Sequence, residues 1–146
     1  MQQGLSELKD VPDVYGCFLA GNSGQVLEVD PPLEITRGEL EAISLHVIQV
    51  LLGLATWGDS VREVDFIYHE SRLVVRDLER AALVMICRPE VDISLLRLTL
   101  NVVTNRWAED PAVQEKLDES GEERDVELPD LFADRVEAEG EESFFA

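Results

Sequence analysis

Apolar residues along the first 108 positions change period several times, and each change marks an element. In QQGLSELKD, Leu5 and Leu8 share one side, which predicts a short helix over residues 2–10 that Pro12 ends. Residues 14–20 (VYGCFLA) and 25–29 (QVLEV) are short apolar runs on either side of Gly21-Asn22-Ser23-Gly24. That cluster favours positive φ and a tight turn, so the pair reads as a β-hairpin. Pro31-Pro32 breaks the chain, and a helical period runs from about Arg37 to Trp57. Residues 61–69 (VREVDFIYH), 72–78 (RLVVRDL) and 81–87 then read as three strands joined by Glu70-Ser71 and Glu79-Arg80, an antiparallel meander. The unbroken apolar character of AALVMIC marks a central strand, and the alternation in VREVDFIYH fits a strand nearer the edge. Asp92 is placed to cap a last helix over 93–108, with Leu95, Leu96, Thr99, Val102, Val103 and Trp107 on one broad face. The expected fold class is therefore α+β: a two-layer sandwich on a five-stranded antiparallel sheet, in the order α-β-β-α-β-β-β-α.

The long helix carries more apolar surface than one sheet needs. At 100° per residue, Leu40, Ile43, Val47, Val50, Leu51 and Leu54 fall in one sector, and Leu45, Ile48, Leu52 and Ala55 fall in another. One sector covers the sheet of its own domain. The other requires a second cover, and a copy of the same helix in a symmetric dimer is the natural one. This makes Leu45, Ile48, Leu52 and Ala55 the candidate dimer interface, although the pattern alone leaves open which sector faces the sheet.

Composition adds a division of charge. Of the 146 residues, 45% are hydrophobic and 29% charged, so the chain can build one core. The formal net charge of −19 sets nucleic acid and anionic lipid aside as partners. Residues 1–108 carry −7 and residues 109–146 carry −12, so the excess lies in the second part. With few aliphatic residues, 109–146 is expected to be an acidic, largely disordered tail beyond a domain of residues 1–108, with a short helix at 128–139. Cys17 and Cys87 each sit in an apolar run, the setting of buried thiols and not of a disulfide scaffold. With no basic leader and no uninterrupted apolar run of membrane-spanning length, a cytoplasmic protein is expected.

Chemistry-bearing motifs are absent: there is no phosphate-binding loop, no G-x-S-x-G, no H-E-x-x-H and no paired Cys-x-x-Cys. His46 and His69 have no ligand spacing around them, so no catalytic residue, metal or cofactor is expected. Ten of the twelve basic residues are Arg. Arg72, Arg76 and Arg80 gather at one sheet edge with Arg62 on the strand beside them. They either balance Glu63, Asp65, Glu70, Asp77 and Glu79 in cross-strand pairs, or offer guanidinium forks to an acidic or phosphate-bearing partner.

Residues 11–29 (VPDVYGCFLAGNSGQVLEV) and 72–100 (RLVVRDLERAALVMICRPEVDISLLRLTL) resemble the opening hairpin and the closing strand pair plus helix of the roadblock/dynein light chain family. The resemblance covers roughly residues 4–108. Two departures stand out: Asn22-Ser23-Gly24 occupies a turn where an aspartate is common, and minimal members lack the acidic extension. Leu128-Pro129-Asp130-Leu131-Phe132 is similar to a segment in bacterial members that regulate a Ras-like GTPase in gliding motility. The resemblance implies a roadblock/profilin-like fold and a homodimer whose sheets join and whose long helices pack together. It also implies a Ras-like small GTPase as partner, with its GTP hydrolysis stimulated. Candidate partner contacts are Arg72, Arg76 and Arg80, together with Leu128, Leu131 and Phe132 if 128–139 docks as an amphipathic helix. Two other readings stay open: a non-catalytic scaffold subunit of a larger assembly, and a PAS-like small-ligand sensor with a cavity between sheet and helices.

Overall fold

A computed structural model describes residues 1–30, 34–58, 61–119 and 123–128. The elements are α1 (Gln2–Lys9), β1 (Val14–Gly21), β2 (Val26–Val29), α2 (Arg37–Thr56), β3 (Glu63–Ile67), β4 (Arg72–Asp77), β5 (Ala81–Cys87), α3 (Ile93–Ala108) and α4 (Pro111–Asp118). The five strands form one antiparallel sheet in the order β2-β1-β5-β4-β3. The expected α+β class and element order hold, with β5 at the centre and β3 at an edge. α4 is the addition.

The reason for two covers lies in β5, where all seven residues are buried. Alternate side chains on a strand leave on opposite faces, so a strand buried throughout needs apolar material on both sides. On one face Cys17, Leu19, Val74, Leu83 and Met85 pack with Leu5 and Leu8 of α1, with Leu96, Leu100, Val103 and Trp107 of α3, and with Val113 and Leu117 of α4. On the other, Phe18, Ala20, Val75, Val84 and Ile86 pack under Leu40, Val47, Ile48 and Leu51 of α2. α2 is long and apolar enough, by length and composition alone, to cross a bilayer. Here that apolarity is spent on the sheet. Thr36 opens α2 by accepting from the Glu39 amide at 3.2 Å, and Asp92 opens α3 by accepting from the Leu95 amide at 3.1 Å, the expected cap.

Close approaches explain two glycines. A Cβ on Gly4 would lie 2.7 Å from the Trp107 ring and 2.8 Å from Val103, so α1 seats on α3 only because that position is bare. Gly24 has φ of +84° and faces Leu45 of α2, which closes the β1–β2 turn against the helix.

Three expectations need correction. The folded domain does not end at residue 108: Pro111 starts α4, Asp110 caps it by accepting from the Ala112 amide at 3.0 Å, and Val113 and Leu117 complete the core around Trp107. Low aliphatic content misled here, because two well-spaced apolar residues suffice to dock eight residues. Ile48 is not on an outward face. It is fully buried against the sheet, because the buried arc of α2 is centred between the two sectors of the wheel and takes members of both, with Ser44 between them. On α3 the broad face divides: Leu96, Val103 and Trp107 point inward together with Leu100, while Leu95 and Val102 turn out to solvent. Leu128 is described, and the rest of the helix expected at 128–139 lies outside the described residues.

Leu117→Ala should cost about 2–4 kcal/mol in urea unfolding, the loss for a truncated core leucine; a solvated tail residue would give no change. Glu28 of β2 gives a second test. Burial would raise its carboxyl, but hydrogen bonds from Lys116 of α4 and Gln2 of α1, with the charge of Lys116, prevail and hold it below its ordinary 4.5. A carboxyl lowered by folding stabilises fully above its unfolded pKa and loses that contribution as pH falls through the folded one. The stability advantage of the wild type over Glu28→Gln should therefore be constant above about pH 5 and shrink below it.

Candidate interaction surface

The arginines of the β3–β4 edge are fixed by the sheet register, which sets Arg76 opposite Glu63 and Ile67 opposite Arg72. Arg72 reaches diagonally to Asp65, donating from Nε to Oδ1 at 2.8 Å and from Nη2 to Oδ2, and these hydrogen bonds raise its pKa. Arg76 donates to Glu63 Oε1 at 3.1 Å and to Asn101 of α3 at 3.1 Å, and Arg97 takes the other Glu63 oxygen at 2.7 Å. Arg80 is bonded to Gln114 and Asp118 of α4. All three candidate partner arginines are thus engaged within the chain, and Arg72 and Arg76 are largely covered. Of this edge group, Arg62 is the one exposed cation.

Apolar exposure lies elsewhere. β3 ends the sheet, so one side of its backbone faces no strand, and at its end Ile67 is 69% and Tyr68 47% exposed. Above the same strand, His46 of α2 stands over Phe66 with ring centroids 5.9 Å apart. His69 lies exposed in the β3–β4 turn and not on a strand. The opposite flank of α2 presents Leu45, 41% exposed, with half-buried Gln49 and Leu52 following at helical spacing and Ala55 exposed beyond. Of the four candidate dimer residues, Leu45, Leu52 and Ala55 therefore share this flank, and Ile48 lies beneath it.

Residues 123–128 run along that flank. Arg124 donates both Nη atoms to the Asp77 carboxylate at 2.6 and 3.1 Å, the Asp125 amide donates to the Asn22 carbonyl at 3.0 Å, and Gln49 of α2 donates to the Glu127 carbonyl at 2.9 Å. Val126 packs into the α2 side of the core. Nothing in the sequence announces this strap, since its partners lie 47 and 78 residues away. The outward α3 residues Leu98 (63% exposed) and Val102 (51%) were also missed, although the inward spacing of 96, 100, 103 and 107 carries the signal.

Among the described residues no group of three or more His, Cys, Asp and Glu side chains is placed to hold a metal ion. Burial pushes the Cys17 thiol well above its ordinary value and that of Cys87 up to about 12, although Arg72 opposes the second. An open groove of about 850 Å³ lies where the C-terminal half of α2 meets Arg62, Arg76, Glu79 and Arg80. Between sheet and α2, where the sensor reading would need a cavity, Phe18, Val47, Ile48 and Val84 are fully buried. Asp65→Ala leaves the covered Arg72 without its carboxylate and should cost about 1–3 kcal/mol in urea unfolding, whereas removing a solvated surface pair would cost less than about 0.5.

The sequence matches no family model and no curated protein. Solved structures do match. MglB of Myxococcus xanthus superposes with a TM-score of 0.65 at 17% identity, over 80% of this chain and 88% of that one. The gliding protein MglB of Thermus thermophilus gives 0.61 at 15%, over 80% and 87%, and a roadblock/LC7 domain of Streptomyces avermitilis gives 0.59 at 16%, over 74% and 94%. The order of elements, the single five-stranded sheet and these superpositions together establish a roadblock fold that resembles MglB.

Proposed function

We propose that the chain is a homodimeric, non-catalytic, cytoplasmic regulator of a Ras-like small GTPase, stimulating hydrolysis by placing the GTPase's own switch residues. The observation that carries this reading is the unpaired edge of β3 beside the His46 flank of α2. An exposed strand edge with a large apolar residue at its end is a liability in a monomer, and natural proteins cover such edges. Pairing with a second copy across a two-fold axis covers both at once and extends the sheet. Support also comes from the neighbours: one is MglB of Myxococcus xanthus, one the gliding protein MglB of Thermus thermophilus, and another an MglB with a tetrameric arrangement.

In this reading Arg72, Arg76 and Arg80 serve the fold, and partner contact falls on the outer surface of α2 and on Leu128, Leu131 and Phe132. The scaffold reading rests on a different observation, the outward Leu98 and Val102 of α3. It predicts that assembly with other subunits is lost when those two residues become polar while dimerisation persists.

Ile67→Asp introduces a charge at the end of the edge without touching the core. Light scattering should report monomers with an unchanged melting temperature, and stimulation of hydrolysis by a GTP-loaded small GTPase should fall about tenfold, roughly 1.4 kcal/mol of barrier. Dimers with full stimulation would overturn the edge pairing. Absence of binding in either nucleotide state by the wild type would overturn the GTPase reading.

A further inference from the structure

We infer that the outward stripe of α3 pairs with the same stripe of a second copy, the two helices running antiparallel about a two-fold axis. The inference rests on the scaffold reading and names its other subunit, which is this chain itself. Leu95, Leu98 and Val102 are 39%, 63% and 51% exposed, and they recur at steps of three and four residues. Exposed Asn105 continues the series. Leu96, Leu100, Val103 and Trp107 meanwhile hold the opposite side of α3 in the core. The outer side thus has the alternating three-four spacing of a helix-pairing seam, in which side chains of one helix fit between those of another.

Charge selects the occupant and its direction. In the heptad that Leu95 and Leu98 set, Asp92 and Arg106 occupy equivalent positions on one border of the seam, at opposite ends of α3 and about 21 Å apart. Both are exposed: Asp92 caps the helix through Oδ1, and Arg106 keeps 46% of its side chain in solvent while holding Glu7. In an antiparallel pair Asp92 of each copy meets Arg106 of the other, and Leu98 of each copy lies against Val102 of the other. Every contact is made twice, as a two-fold axis requires. A parallel pair would gather like charges at the same end. Ser94, Thr99 and Asn101, the remaining border residues, are uncharged and oppose neither copy. Three apolar side chains fall short of the roughly 800 Å² per partner that a stable dimer buries. Single copies therefore stay apart at micromolar concentration, and the seam acts between chains already held close in an assembly.

The test mixes isotopically heavy full-length chains carrying Leu98→Cys with light chains carrying Val102→Cys; the native thiols Cys17 and Cys87 are buried. In concentrated solution, mild oxidation should link heavy to light chains about tenfold faster than either variant links to itself, as read from disulfide-bonded peptides by mass. Arg106→Asp in both chains sets carboxylates against Asp92 and should slow that link about tenfold, whereas Arg106→Lys should retain it. Faster self-linking, which a parallel pair would give, equal rates in all mixtures, or indifference to Arg106→Asp would each overturn the inference. Leu98→Asp combined with Val102→Asp tests the scaffold reading by itself. If assembly with other subunits is lost there and no heavy–light preference exists, the stripe serves a different protein, and this inference falls while that reading stands.

Discussion

The fold depends on covering a strand that is buried on both faces. β5 carries seven consecutive buried residues, and everything else can be read as the means of closing water out above and below it. On one side a single long helix suffices, because α2 spends Leu40, Val47, Ile48 and Leu51 on the sheet in one arc. On the other side α1 and α3 leave a gap around Trp107 that α4 fills with Val113 and Leu117. The close seat of α1 on α3 at Gly4 belongs to the same economy, since a side chain there would lift the helix off the core. Apolar surface not consumed in this closure, on β3, on one flank of α2 and on α3, is what remains for partners.

Electrostatics shape the β3–β4 edge in a different way. An outer strand has only one neighbour, and here the face turned toward α3 is closed by ions instead of aliphatic groups: Arg72 with Asp65, and Arg76 and Arg97 on Glu63. Partly covered pairs of this kind contribute modestly while they are whole and cost more when one partner is removed. They also make most of that face polar, with Ile67 the exposed apolar residue at its end, beside the bare backbone of the edge.

Much of this was legible. Turn chemistry at Asn22-Ser23-Gly24, the cap Asp92, and the contrast between AALVMIC and VREVDFIYH are local signals that the fold obeys, because each states a requirement that neighbours in sequence can meet. The errors share one cause. Ile48 was assigned outward because a wheel gives angles but not the direction of the sheet, and α2 sits on its sheet through an arc that straddles both apolar sectors. Arg72 and Arg76 leave two readings open in the sequence, and the structure shows the cross-strand pairs with Asp65 and Glu63 that one of them expects. α4 is hidden because acidic composition dominates a stretch in which this helix contributes just Val113 and Leu117 to the core.

The strap shows why the charge of the chain is a poor guide to where residues 123–128 lie. Residues 109–146 carry three basic residues among fifteen acidic ones, and by net charge alone the acidic end should keep away from a domain that is itself at −7. Arg124 reverses that locally. Its guanidinium meets Asp77 in a partly covered site where a fork of two charge-assisted bonds outweighs the diffuse repulsion of exposed carboxylates, which salt screens within about 10 Å. Once that point is fixed, the backbone bonds to Asn22 and Gln49 follow from geometry, and the chain passes from the α3–α4 layer to the α2 layer. A single arginine thus decides which face of the sheet receives Val126 and Leu128.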